Sequence, residues 1–379
     1  MGWRVFIISG SYDHLTNYQK LKTNERYRTE TIDGVVFRWV RVPIYKGNGI
    51  GRMYNMLKFF LKTIFPECTR SLLKPDVIIG SNVHLLAVAS AKFLARKNKV
   101  PFIFEIRDIW PESLAAYGIL KRKSIAFILL YQLEGWLLRH SDSIISLLPN
   151  IKDYIKSRSA TNKIILYLPN GVDVASYPYV PYSDNRNEAF ILMFLGSLSI
   201  ASGLETLLLA LKELKKRTLA RPLRVRLIGP KAGLANQLEK LARDLELDNV
   251  SFESPVPKNQ IPKLAVEADA FFAAVPDKPE LYRYGISFNK LGDYLIAGRP
   301  ILMISTIDSN PIVEAQCGII IQTYDPKELA DAIEKLVQIT PDEIAALGKR
   351  GRRFAEQERD YKILANRLSD FLNETIKSN

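Results

Sequence analysis

The sequence predicts an α/β protein built from two Rossmann-like domains, and three observations carry that expectation. Short β-rich apolar runs alternate with longer stretches of helical period along the chain. The pattern also restarts: IISGS at 7–11 and FLGSL at 194–198 each close a hydrophobic strand on a glycine. Finally, 379 residues is about twice the usual length of one domain.

The expected strands in the first half are Arg4–Gly10, Val35–Val42, Asp76–Asn82, Pro101–Asp108, Asp142–Leu148 and Ile164–Leu168. In the second half they are Phe190–Gly196, Val225–Gly229, Val250–Val256, Ala270–Val275, Pro300–Ser305 and Gly318–Thr323. Unbroken runs such as Val77–Ile79 and Phe190–Leu195 suit parallel strands covered on both faces. Helical stretches between them, Leu204–Lys216 and Leu234–Leu245 among them, complete βαβ units. A first domain is expected over 1–173 and a second over 189–359. The segment 174–188, with three Tyr, two Pro and a polar SDNRNE tail, reads as the linker. The last amphipathic pattern, Pro341–Ile376, breaks near Arg359–Asp360, and a final helix over 360–379 is able to pack back on the first domain. Doubly wound sheets bind ligands beyond the carboxyl ends of their strands, so two facing domains place a cleft there.

Composition excludes several classes. With 47% hydrophobic and 25% charged residues, the bulk of the chain is neither disordered, collagenous nor coiled coil. Cys68 and Cys317 lack metal-ligand spacing, which excludes a disulfide scaffold and a zinc ribbon and fits a reducing compartment. Three scattered histidines argue against a His-built metal site. His84, His140 and both cysteines read as structural residues. His14, just beyond the first strand's Gly10–Ser11 loop, is a candidate to face a ligand. No run reaches the ~18–20 apolar residues of a membrane span. The opening VFII after Arg4 reads as a buried first strand of a cytoplasmic protein rather than a signal peptide.

The charge is uneven. Residues 1–170 carry 26 Lys+Arg against 12 Asp+Glu, whereas 171–379 carry 27 against 28, so the net +13 belongs to the first half. Such a half suits an anionic partner: nucleic acid, lipid headgroups or a phosphorylated substrate. Within it, Gly49–Pro66 (GIGRMYNMLKFFLKTIFP) repeats apolar residues at helical spacing, with Arg52, Lys58 and Lys62 and no acid. That composition fits a helix lying in a membrane interface, and equally a core helix with a basic edge. Lys121–Lys123 followed by IAFILLYQLEGWLL repeats the theme. Two such features, with no aromatic RNA-binding motif, favour a membrane surface over nucleic acid.

The segment YGISFNKLGDYLIAGRP, Tyr284–Pro300, is the most informative. A glycine-containing loop feeds a helix expected to begin near Ser287 and to stop at Gly298. Ser287 or Asn289 can cap the first backbone amides, and those amides with the positive helix end form an anion site. Lys290 in the first turn opposes the helix dipole, which is understandable if it faces a phosphate. Asp293, one turn on, reaches a sugar or ribose hydroxyl. The same residues also describe a capped structural helix with a surface Lys and Asp. In the first half, EIRDIWPE (Glu105–Glu112) follows a strand end, where Arg107, Asp108 and Trp110 suit a phosphate or sugar ring, or a buried ion pair. Ser202 and Glu205 have capping-box spacing ahead of Leu207, and the turn Asn170–Gly171 carries no chemistry of its own.

On these residues the sequence resembles the retaining glycosyltransferases of the GT-B fold, family 4, and looks closer to the branch that includes fucosamine-type transferases of bacterial surface polysaccharides. The segments that carry the resemblance are YGIS-NKLGDYL-AG-P, RD-W-P-E at 107–112, NGVD at 170–173 and LGSLSIASGLE at 195–205. The resemblance implies a GT-B fold of two facing Rossmann-like domains and a donor site formed by Gly196, Ser197, Gly285, Ile286, Ser287, Asn289 and Asp293. It places Asp293 at the family's second Glu, which holds the ribose, and Gly285 where the family has its first acid. Arg107 falls where many members carry a histidine. The Arg and Lys that grip the diphosphate in relatives are replaced by Ser197 and Ser202, which shifts that load to Lys290. Lys290, Asp108 and Arg107 are therefore the catalytic candidates, and His14, Trp110 and Glu112 the acceptor-side candidates.

The expected protein is a cytoplasmic, peripheral-membrane glycosyltransferase with retention of configuration and neither cofactor nor metal. It would move an N-acetylated hexosamine or deoxyhexosamine from a nucleotide diphosphate donor, UDP favoured, to a lipid-linked glycan acceptor on an anionic membrane surface. Two competing readings are a sugar-nucleotide epimerase of the same plan and a non-catalytic sugar- or nucleic-acid-binding protein. Isomerisation of UDP-sugar without acceptor marks the first, and salt-sensitive nucleic-acid binding without nucleotide-sugar affinity marks the second.

Overall fold

The computed structural model describes residues 2–14, 16–47, 49–159, 162–183, 188–199, 202–230 and 235–378. Residues 184–187 of the expected linker, and Ile200 and Ala201 of the LGSLSIASGLE segment, lie outside the described residues. The chain divides into two compact units, Met1–Leu168 with Asn366–Asn379, and Pro169–Ala365.

In the first unit the strands are β1 (Phe6–Gly10), β2 (Tyr12–Asp13), β3 (Tyr18–Gln19), β4 (Tyr27–Ile32), β5 (Val35–Val40), β6 (Ile78–Ser81), β7 (Phe102–Ile106), β8 (Ser143–Ser146) and β9 (Ile165–Tyr167). They form a three-stranded sheet β1-β5-β4, a small β2-β3 ladder and a four-stranded sheet β6-β7-β8-β9. Pairing is parallel throughout the four-stranded sheet and between β1 and β5, and antiparallel between β4 and β5. The β4–β5 hairpin turns at Asp33–Gly34, both at positive φ (51° and 80°), the conformation a two-residue hairpin requires. β1 is less covered than a buried first strand would be, because Ile7 is 38% exposed, and Val5, just ahead of the strand, is 47% exposed.

Alternation in β7 separates two layers. Lys92, from the helix Leu85–Asn98, sits 5.3 Å from the centre of the Phe102 ring. Its neighbour Ile103 points the other way, with Ile145, onto Phe371 and Leu372 of the final helix Tyr361–Lys377. That helix is tied down by Trp3 Nε1 donating to Ser369 Oγ at 2.9 Å and by the Ser143–Thr375 hydroxyl pair at 3.0 Å. On the opposite layer, Leu85–Asn98 packs against both Ile50–Ile64 and Ile125–Arg139.

The second unit holds β10 (Phe190–Leu195), β11 (Leu223–Ile228), β12 (Val250–Glu253), β13 (Ala270–Ala274), β14 (Ile301–Ile304) and β15 (Gly318–Ile321). All are parallel, in the order β12-β11-β10-β13-β14-β15. The chain winds outward from β10 to β12, then returns to β13 on the other side, so the strand order reverses between β10 and β13. Each sheet face has its own core. Phe190, Leu192 and Phe194 join Leu207, Leu211 and Ile333 on one side. Met193 and Leu195 join Leu291, Tyr294 and Leu295 on the other.

Three boundaries differ from the sequence reading, one of them the end of the second unit, at Ala365 and not at 359. The turn at 169–173 belongs to the second unit: Val172 bridges Asp360, and its N–H donates to Arg359 O at 2.8 Å. The segment read as a linker is also held there. Tyr177, 6% exposed, donates to Asp293 Oδ1 at 2.6 Å, and Tyr182 donates to Asp269 Oδ1 at 2.5 Å. Tyr177 and Tyr182 act as anchors, a role that Pro-rich and polar composition hides.

Cys68 and Cys317 are buried free thiols, and His84 Nδ1 accepts from Ala87 N–H at 3.1 Å as a helix cap. A buried polar cluster joins the helices Ile125–Arg139 and Lys152–Ser159. Glu134, 1% exposed, accepts from Tyr154 Oη at 2.7 and 2.8 Å and from Arg158 Nε at 3.1 Å. Burial outweighs these bonds and lifts the Glu134 carboxyl to about 7. A raised carboxyl pKa favours the fold at low pH, and that contribution is lost as pH climbs from the ordinary value of 4.5 to about 7. The size is on the order of 3 kcal/mol at ~1.4 kcal/mol per pH unit. Urea unfolding of the Glu134→Gln variant should show a flatter stability profile over that window than the wild type.

Candidate functional site

Strand-order reversal is where doubly wound sheets open a crevice at the carboxyl ends of their strands. Here β10 runs into Gly196, and the β13–β14 crossover contains the loop at 283–288 and the helix Asn289–Ala297. Neighbouring strands thus bring the loop after β10 and the start of that helix together.

The approach is close. Gly196 has φ 152°, and a Cβ built on Gly229, which follows β11, would lie 1.8 Å from Gly196 O. Only glycine fits at 229. A Cβ on Gly196 itself would stand 3.6 Å from Lys290 Cδ. The Gly196 amide donates to Ile228 O at 3.0 Å, so it extends the sheet ladder and is not available to a ligand. Gly196 contributes an absent side chain beside Lys290, whereas Ser197 is exposed.

Tyr294 fixes this arrangement. Fully buried and stacked on Phe271 with ring centres 4.2 Å apart, it accepts from Leu195 N–H at 2.8 Å. Its hydroxyl donates in turn to Leu195 O at 3.1 Å. Both backbone groups at the end of β10 are therefore satisfied by one side chain of the neighbouring helix. From the chain alone, Tyr294 reads as an ordinary core aromatic.

The helix starts without a side-chain cap. Phe288, not Ser287 or Asn289, is the N-cap, and it makes no capping bond. Among the described residues, the backbone N–H groups of Asn289 and Lys290 have no acceptor, because the first such bond runs from Leu291 to Phe288 O at 3.2 Å. The ammonium of Lys290 sits 4.3 Å from the Phe194 ring centre and 5.7 Å from that of Phe288. No described carboxylate forms an ion pair with it. Burial alone lowers its pKa to about 8. Positive charge with no counter-ion, two free amides and a helix N-terminus together favour an anion.

The loop ahead of the helix is held by Asn170, whose Nδ2 donates to Ser287 O at 2.6 Å. The Asn-Gly turn thus positions the anion site. Gly285 lies at φ 114° with its amide on Tyr282 O at 2.8 Å. Ile286 is 5% exposed and belongs to the core under the loop, so its side chain is not a ligand contact. Asn289 is exposed. Asp293 is half-buried, and one carboxylate oxygen is taken by Tyr177. Burial raises its pKa, and the Tyr177 bond and the positive charge of Lys258 pull it back. The Ser202–Glu205 capping box does not form: Gly203 is the N-cap of Leu204–Leu214, and Ser202 Oγ donates to Ser197 O at 2.8 Å.

In the first unit, Arg107 and Asp108 follow β7 and are both exposed, without an ion pair to any described residue. The buried-pair reading therefore does not hold. A residue the sequence reading passed over, Asn82, organises them. It is 2% exposed, its Oδ1 accepts from the Arg107 amide at 2.7 Å, and its Nδ2 donates to Asp108 O at 2.6 Å. Asp108 Oδ1 accepts the Ile109 amide at 2.8 Å, and surrounding protein raises its carboxyl pKa. Trp110 is only 9% exposed, so its face is not laid open for a sugar. Glu112 pairs with Arg122 at 2.6 Å. His14 lies on another loop, exposed and stacked on Tyr45 with ring centres 6.4 Å apart.

Comparison with known proteins agrees with this architecture. Residues 1–171 match the family model "Glycosyl transferase 4-like domain" and residues 189–338 match "Glycosyl transferases group 1". Together they cover most of the chain, which belongs to the glycosyltransferases of the GT-B type. A D-inositol 3-phosphate glycosyltransferase of Corynebacterium jeikeium is 28% identical over 205 residues, which span 49% of this chain and 46% of that protein. Sucrose-phosphate synthase of Thermosynechococcus elongatus superposes with a TM-score of 0.75 at 15% identity, over 100% of this chain and 90% of the other. Anabaena HepE, solved with UDP-glucose, gives 0.64 at 15% identity over 88% and 86%.

Removing the Tyr294 hydroxyl leaves two buried backbone groups at Leu195 unmatched. The Tyr294→Phe variant should lose about 1–3 kcal/mol of stability. Denaturant unfolding followed through the second unit measures it, and an unchanged midpoint would show that the two bonds do not hold the loop.

Proposed function

We propose that this protein transfers a glycosyl group from a nucleotide diphosphate sugar to an acceptor, with the diphosphate held at the start of the helix Asn289–Ala297. The observation that carries this reading is the uncompensated ammonium of Lys290 beside two free backbone amides and a side-chain-free Gly196 at the strand-order reversal. A diphosphate leaving group gains charge as the glycosidic bond breaks. Fixed positive groups aimed at it stabilise the transition state more than the ground state. Asp293 keeps one carboxylate oxygen outside its Tyr177 bond, which suits a ribose hydroxyl.

UDP is the favoured nucleotide, in keeping with HepE, whose structure holds UDP-glucose. The donor sugar we propose is an N-acetylated hexosamine or deoxyhexosamine, transferred with retention and without a metal. The acceptor is a lipid-linked glycan of bacterial surface polysaccharide, used at the inner face of the membrane. A lipid pyrophosphate is the kind of group that the basic first half attracts. Arg107 and Asp108, set by Asn82 at the end of β7, are the first-unit groups proposed to act in the reaction.

Two measurements check the donor site. Lys290→Ala should lower turnover about 100-fold or more, the scale of losing a fixed charge-stabilising donor; unchanged turnover would remove the assignment. Because the Lys290 pKa is lowered to about 8, its charge is present at neutral pH and lost as pH rises past that value. UDP affinity measured by calorimetry should therefore weaken above about pH 8 in the wild type, and this loss should be absent in Lys290→Ala. A thermal-shift panel of UDP-, GDP- and dTDP-sugars identifies the nucleotide by which ligand raises the melting temperature.

A further inference from the structure

The helix Ile50–Ile64 carries an apolar stripe on its exposed side as well as on its inward one. An amphipathic helix on a folded unit normally turns its apolar stripe to the core. Here Ile50 (84% exposed), Met53 (56%), Tyr54, Leu57 and Leu61 form one continuous outward ridge at positions i, i+3, i+4, i+7 and i+11. The inward side is mixed: Met56, Phe60 and Ile64 are part-buried there beside polar groups. Thr63 is buried, Asn55 Nδ2 donates to Pro43 O at 2.6 Å, and Lys62 Nζ donates to Arg41 O at 2.8 Å. Phe59 is the one buried large apolar side chain of the helix. Packing within the unit does not account for the ridge, since the protein leaves it facing outward.

The same layer has a second such surface. The helix Leu85–Asn98 packs against both Ile50–Ile64 and Ile125–Arg139, and the latter exposes Ile125 (78%), Ile128, Leu129 (60%) and Trp136. Exposed apolar side chains clustered along one helix face mark an interaction site. The charge around it selects the partner. From Ile44 to Phe65 there are four Lys or Arg and no acid, and from Ser113 to Leu133 the only charges are Lys121, Arg122 and Lys123. Lys58 lies over the Tyr54 ring, 5.2 Å from its centre, at the edge of the ridge. Apolar residues outward, basic residues alongside and acids missing make a surface complementary to an anionic lipid leaflet, with acyl chains under the ridge and headgroups beside the cations. Among the described residues no helix is long and apolar enough to cross a membrane, so the contact is one of lying on the surface.

We infer that the ridge of Ile50–Ile64, with the exposed face of Ile125–Arg139 on the other side of Leu85–Asn98, docks the first unit onto an anionic phospholipid bilayer. This deepens the lipid-acceptor reading above by assigning the surface that makes the contact, and it stands or falls separately from the donor site.

The full-length protein is mixed with vesicles of phosphatidylcholine alone or with added phosphatidylglycerol, and bound protein is separated by flotation. Binding to the phosphatidylglycerol vesicles should be strong and weakened by salt, and phosphatidylcholine alone should retain little. Met53→Asp with Leu57→Asp should reduce binding about tenfold or more, at unchanged melting temperature and unchanged UDP affinity. Leu57→Trp should show a blue-shifted emission on binding that brominated lipid quenches. Wild-type protein that fails to float, or a double variant that floats as well as the wild type, overturns the assignment. So does a dimer in sedimentation velocity that Met53→Asp with Leu57→Asp dissolves, because the ridge would then belong to a second copy. Loss of UDP affinity with vesicle binding intact would instead count against the donor site alone.

Discussion

One hydroxyl sets the geometry of the second unit's ligand end. Where β10 stops, Leu195 would present a bare N–H and C=O in the middle of a hydrophobic core, a costly state for any backbone. Tyr294 satisfies both from the adjacent helix. This ties the strand end to the helix start across the strand-order reversal and holds Gly196 against Lys290. The anion-favouring character of the site follows from that register. An ammonium flanked by Phe194 and Phe288 and lacking a carboxylate keeps its charge unspent.

Much of the fold was legible because parallel strands covered on both faces write themselves as unbroken apolar runs. All twelve expected strands exist, with ends displaced by three residues at most. Tyr27–Ile32 was missed because its polar alternation, YRTETI, belongs to an edge strand, although the Asp33–Gly34 turn that closes its hairpin is a readable signal. The break near Arg359–Asp360 was also legible, since the helical pattern loses phase there.

The site was legible in part. Glycine punctuation and a lysine in the wrong half of a helix dipole pointed at Gly285–Lys290. Proximity to Gly196 was not readable from spacing, since it depends on strand order. Supporting residues stayed hidden for a common reason: Asn82, Asn170 and Tyr177 act through bonds to backbone or carboxylate groups far away in sequence. Ile286 and Trp110 present the opposite case. They are candidate ligand residues in the sequence, and their side chains are packed, at 5% and 9% exposed.

The final helix carries a consequence for how the protein comes into being. Phe371 and Leu372 cover Ile103 and Ile145, and Thr375 completes the hydrogen bonding of Ser143. One face of the first unit's sheet therefore stays bare on the ribosome until residues from the far end of the sequence emerge. The second unit, drawn from the continuous stretch Pro169–Ala365, has its strands in hand earlier. The first unit, though it starts earlier in the sequence, is thus finished after the second, and through that interval its uncovered strands are the portion of the nascent chain most in need of a chaperone.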